Sequence, residues 1–196
     1  MRHNTEFTAK SLDKQLIEFR QARGLAMPLS GTLVWLALFG LSLVLPAQQL
    51  VMATFILTGS IVYLAMFICR FTGERISFKR TADSNWFDKV FLAGFGMSFL
   101  TFSITIVAFM ENYLVLPFAV AVQSGLMWLV YGVLAGRTVA IVHAIVRTAL
   151  CTIAFFLWPE QSFTLQPLIV VLCYGFSIPL MEKHWRSLQS QALQAA

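Results

Sequence analysis

The stretch TVAIVHAIVRTALCTIAFFLW, Thr138–Trp158, decides how this chain folds. It is an unbroken apolar run of the length, about 20 residues, that crosses a hydrocarbon core of about 30 Å. Gly136 and Arg137 precede it and Pro159 stops it. It also holds one charged residue, Arg147, at its centre. The run predicts a membrane-spanning helix, because backbone groups in lipid must find partners within their own segment. The arginine predicts that one face of this helix is turned away from lipid.

Working outward, five more runs of similar character appear. They cover about Leu25–Leu45, Gln48–Cys69, Trp86–Met110, Tyr113–Leu134 and Phe163–Met181, separated by Pro46, a polar stretch Phe71–Asn85, Glu111-Asn112, Gly136-Arg137 and Pro159. The 196 residues are 58% hydrophobic and 12% charged, against about 25% charged in a soluble domain. The expectation is an all-α integral membrane bundle of six transmembrane helices. Its three parts are a leader at 1–23, the helical domain at 24–182 and a polar tail at 183–196. No cleavable signal peptide is evident, since the first apolar run lies behind a charged segment with no A-x-A site.

Of fourteen Lys and Arg residues, thirteen fall on one side of such a bundle. Arg2, Lys10, Lys14, Arg20 and Arg23 precede the first run. Arg70, Arg75, Lys79, Arg80 and Lys89 lie in or beside the link between the second and third. Arg137 follows the fourth, and Lys183 and Arg186 follow the sixth. The opposite turns carry none. The excess of positive charge on cytoplasmic loops puts both termini in the cytoplasm. The same distribution argues against nucleic acid as a partner, because the charges flank a membrane and form no groove. In the leader, Leu12, Leu16 and Phe19 recur at helical spacing among Asp13, Lys14, Glu18 and Arg20. This predicts an N-terminal amphipathic helix, either lying on the lipid leaflet or packed on the loops.

The candidate site follows from depth. At about 1.5 Å per residue, Arg147 is about 15 Å beyond Arg137 and close to the bilayer centre. His143 lies four residues earlier on the same helix face. Gln123, Trp35, Tyr63 and Tyr174 reach similar or slightly inner depths. A central charge costs at least about 2.5–3.5 kcal/mol on insertion scales, so Arg147 must face the interior. No Asp or Glu lies at its depth, since Asp88, Glu111 and Glu160 are all at membrane edges. Its expected acceptors are therefore the Gln123 amide, hydroxyls, carbonyls freed by Pro28, Pro117, Pro167 or Pro179, or an anionic small molecule or lipid headgroup. A clamp that holds helices in register is the competing role for Arg147, and a hydrogen-bonded neutral core residue the competing role for His143.

Catalytic signatures are missing: no HExxH, GxSxG, CxxC, Gly-rich phosphate loop or intramembrane Asp pair. No cofactor is implied, and a metal site is not expected, because His143 lacks a second ligand at its depth. Cys69, Cys151 and Cys173 read as small core residues. Small residues punctuate the spans, and Ser30–Leu36 (SGTLVWL) is similar to Ser124–Leu129 (SGLMWL) allowing one deletion. Three helices in each half would suit inverted repeats, but the two segments differ in depth.

Pro28–Leu36 (PLSGTLVWL) after a charged leader, then Leu116–Phe118 (LPF), Tyr131-Gly132 and Gly136-Arg137, resemble a family of bacterial membrane proteins catalogued as a domain of unknown function, the DUF7010 type. The resemblance covers most of the chain. It implies a bacterial inner-membrane protein and brings no activity, ligand or catalytic residue. Two functions remain open from sequence: a small transporter or channel-like protein with a midplane polar site around Arg147, or a non-transporting scaffold or interaction subunit. An intramembrane lipid-modifying enzyme is a remote third. Oligomeric state is left open, a homo-oligomer included.

Overall fold

A computed structural model describes residues 10–74 and 85–194, the side chains of residues 192 and 193 excepted. Arg2, Arg75, Lys79 and Arg80, which the charge argument assigns to one side, lie outside the described residues. Those described form eight α-helices and no strand. The helices are α1 Leu12–Gln21, α2 Ala26–Ser42, α3 Ala47–Thr72, α4 Trp86–Leu100, α5 Phe102–Glu111, α6 Val115–Ala135, α7 Thr138–Leu157 and α8 Ser162–Gln194. A single 3₁₀ turn, Pro159–Gln161, joins the last two.

The helix ends follow local chemistry. The Asn85 side chain accepts from the Phe87 amide at 2.9 Å and starts α4. Gly73 and Gly136 stop α3 and α6 in the left-handed conformation, with φ of 73° and 65°, a region that costs glycine nothing. Pro46 precedes α3, where its missing N–H belongs to an orphan position in any case.

Five segments are long and apolar enough to cross a membrane: Ala47–Thr72, Trp86–Glu111, Val115–Ala135, Thr138–Leu157 and Pro159–Gln191. A sixth counts when α1 and α2, bent by 43° at their junction, are taken together. Alone, α2 has 17 residues, about 25 Å at the helical rise. The third span is α4 plus α5, interrupted at Thr101. α8 runs well past Met181. The polar tail carries no breaker there, and Glu182, Lys183, Arg186 and Leu188 are good helix formers.

α6 is central. It packs against α7, α4, α5 and α8, while α2 lies between α3 and α8. The core contains Trp35, Leu116, Val120, Trp128, Val170 and Tyr174. The outer faces of α3 and α5 expose Met52, Ile56, Phe67, Ile104, Val107 and Met110. A belt of large apolar side chains on the outside suits lipid and would be a liability in water.

The described parts of the segments that the charge pattern assigns to one side meet at one end of the bundle. The Arg23 guanidinium donates to both Glu182 oxygens at 2.8 and 3.0 Å, and the Trp185 indole N–H donates to the Gln21 carbonyl at 3.1 Å. Glu74 accepts from the Leu25 and Ala26 amides at 3.0 Å, a carboxylate at the positive end of α2. Arg20 donates to the Leu134 carbonyl at the negative end of α6. Arg137, 3% exposed, donates to the Ala22 and Arg23 carbonyls at 2.7 and 3.0 Å.

α1 is packed on the bundle: Phe19 is buried, with its ring 6.2 Å from those of both Phe87 and Tyr131. Leu12 and Ile17 remain exposed.

Candidate functional site

Arg147 projects from the middle of α7 into the bundle with no exposed surface. Its helix presents Ala140, His143, Ala144, Arg147, Cys151 and Ala154 inward, the three-and-four spacing of one face. The guanidinium donates to the Ser124 hydroxyl of α6 at 2.6 Å and to the Tyr174 hydroxyl of α8 at 3.4 Å. Its carbon sits 5.7 Å from the Trp35 ring centroid and 5.5 Å from that of Tyr174, distances at which aromatic faces attract a cation. Three helices and two rings therefore surround one charge.

The neighbouring groups complete an aromatic layer. The Trp128 indole N–H donates to the Tyr174 hydroxyl at 3.1 Å. The His143 ring lies 4.7 Å from Tyr174 and 5.6 Å from Trp128, and its Nδ1 shares a hydrogen bond with Ser177 at 3.0 Å. From there the stack continues through Tyr131 to Phe19 of the leader.

The layer holds buried N–H groups, those of Arg147 Nε and Trp35 Nε1, that no acceptor among the described residues reaches. The described ion pairs join Lys10 to Glu18 and Glu182 to Arg23 and Arg186, and none involves Arg147. The Nε of Arg147, the Nε1 of Trp35 and the Nε2 of His143 are buried with no hydrogen-bond partner. Native proteins leave few such atoms, and each calls for a physical reason.

Of the six residues singled out by depth, the structure brings four together: Arg147, His143, Trp35 and Tyr174. Gln123 and Tyr63 stand elsewhere. The Gln123 amide N–H₂ donates to the Thr101 carbonyl at 2.9 Å and to the Thr105 hydroxyl. It thus serves the break between α4 and α5, where backbone leaves the regular helical ladder. Tyr63 is 75% exposed on the outer face of α3. Counting residues gives depth along a helix but not the direction in which a side chain points, and α3 is apolar all round.

Ser124, Trp128 and Ser177 were missed as site residues. The signal lay in the two similar segments. Gly31 and Trp35 of the first, and Ser124, Gly125 and Trp128 of the second, all border the Arg147–Tyr174 pair. A Cβ on Gly31 would come within 2.8 Å of the Tyr174 hydroxyl, and one on Gly125 within 3.4 Å of the Arg147 side chain. Their glycines let bulky polar groups approach helix backbone. The expected carbonyls freed by proline play no part in the bonds Arg147 makes. Pro28 and Pro117 sit in the first turns of α2 and α6, where no helical bond is lost.

The model of the DUF7010 family, described as a family of unknown function, matches residues 12–183. The chain belongs to this family. The match takes in α1 and, to residue 183, every helix that lines the layer. No curated protein and no solved structure matches the chain.

Proposed function

We propose that this DUF7010 protein is a small transporter or channel-like protein of the bacterial inner membrane, with both ends in the cytoplasm, that binds an anionic group beside Arg147. The observation that supports the reading is the unspent donor capacity of the midplane layer. Arg147 and Trp35 each keep a buried N–H without an acceptor, and among the described residues no carboxylate pairs with the guanidinium. A carboxylate or phosphate would satisfy both, since a guanidinium matches either in a planar, two-point contact. In the conformation described the layer is closed, so the bound state requires the helices to part. No catalytic step is assigned to the chain, and the bilayer is its first partner.

The test is thermal unfolding of the purified protein in detergent against rising inorganic phosphate or acetate. Anion binding to the folded state raises the midpoint with concentration by mass action, and Arg147→Met should fold and lose the response. One observation favours the second reading, a scaffold: Arg147 has no exposed surface. On that reading neither anion shifts the midpoint of the wild type, or both shift the variant equally.

Orientation is tested separately. Cysteines placed at Gln48, Asn112 and Gln161 should react with an impermeant thiol reagent from the periplasm, and one at Ser77, outside the described residues, should not. Reversed labelling overturns the cytoplasmic assignment of the ends.

A further inference from the structure

The polar groups of the α7–α8 seam do not stop at the midplane. Tyr174, Gln166 and Ser162 fall on the inward face of α8, all buried, with Gln166 and Ser162 fully so. Gln166 and Ser162 are four residues apart, one turn, and lead from the bundle toward the turn that holds Glu160. On α7, Cys151 lies one turn beyond Arg147 in the same direction and is also fully buried. The two rows touch: the Gln166 amide donates to the Cys151 carbonyl at 3.0 Å. Three atoms along this line, Ser162 Oγ, Gln166 Oε1 and Arg147 Nε, are buried without a partner.

We infer that the α7–α8 seam is a hydratable lane that opens at the Ser162 end and leads to Arg147. Unpartnered polar atoms in an apolar interior cost free energy, and a file of water satisfies them together, as buried water does elsewhere. An all-apolar seam would hold two helices at lower cost. Toward the opposite end His143 Nε2 and Arg137 Nε are also buried without a partner, but packed rings and the leader close that way in. There Trp128, His143, Tyr131 and Phe19 stack ring against ring, and the leader is bonded across the end of the bundle. The lane therefore delivers its occupant from the side of the Glu160 turn. What travels rests on the anion reading above, whereas the route stands on the seam itself.

Cys151 is a native reporter inside the lane. The experiment uses the full chain in sealed membranes of known orientation, with Cys69 and Cys173 replaced by Ala. The probe is sulfonatoethyl methanethiosulfonate, a small anionic thiol reagent. Added on the Glu160 side, it should modify Cys151. Gln166→Leu, which fills the seam with apolar volume, should slow the reaction by about tenfold, the rate change that about 1.4 kcal/mol of barrier produces. Asn112→Cys, at an exposed turn on that side, is the control for reagent access. The inference is overturned if Cys151 is inert while the control reacts, if it reacts only from the leader side, or if Gln166→Leu leaves its rate unchanged. Phosphate stabilisation with an inert Cys151 keeps the site and removes the route. A reactive Cys151 in a protein that no anion stabilises keeps the route and removes the anion.

Discussion

Arg147→Lys should destabilise the protein more than Arg147→Met, by about 3 kcal/mol, because a buried charge stripped of its partners is costlier than no charge at all. The guanidinium reaches two hydroxyls on different helices and lies against two rings. One ammonium is a compact, strongly hydrated point charge and cannot reproduce the planar fork or its stacking. Methionine leaves no charge behind, and it strands neither hydroxyl. Ser124 still donates to the Val120 carbonyl at 2.7 Å, and Tyr174 still accepts from Trp128. The chemically closer substitution is thus expected to be the more damaging. Thermal unfolding of the two variants side by side in one detergent checks the order. The order holds for the closed conformation, in which Arg147 has no exposed surface; a lysine variant as stable as the methionine one would mean that the α7–α8 lane is already water-filled at position 147 in that state.

Arg137→Met should release the leader. Arg137 holds the backbone between α1 and α2 through two charge-assisted hydrogen bonds, and its guanidinium lies 5.6 Å from the Tyr131 ring. Hydrogen bonds to a charged donor contribute about 1.5–3 kcal/mol each, so local opening should become easier by about 3 kcal/mol. Opening on that scale raises the open population about a hundredfold. Limited trypsin digestion reads it, because Arg20 lies just before the held segment and Arg23 within it, and both should be cut faster when the leader swings free. Arg137→Lys, which keeps the charge and one bond, should fall between. Unchanged cleavage in Arg137→Met would show that Phe19 and the Arg23–Glu182 pair suffice to hold α1.

The two variants probe different layers of one architecture. Arg147 sits where lipid would surround an unpacked helix, and its energetics are those of burial. Arg137 sits at the end of the bundle, where the positive-inside pattern treats it as one more cytoplasmic charge. The bundle makes it a clasp between the α6–α7 turn and the chain entering α2.

By itself the sequence determined the all-α membrane class, the span limits to within a few residues except at the far end of α8, the gathering of the described basic segments at one end and the inward direction of Arg147. Each of these is local or one-dimensional. Length sets what crosses a bilayer, Pro and Gly set where a helix ends, and one charge forbids one face to lipid. Only the tertiary structure decided which neighbours those faces meet. Gln123 and Ser124 are adjacent in sequence and equal in depth, yet they point about 100° apart on α6, the turn of one helical residue. One serves Thr101 and the other Arg147. Tyr63 shares their depth and faces outward, because lipid is as apolar as leucine and a uniformly apolar helix carries no mark of its inner side. The packing of α1 was one of two readings the sequence left open, and the clasp at Arg137 was hidden. The partners of Arg137 are backbone carbonyls, which every residue owns, and only the packing of helices selects among them.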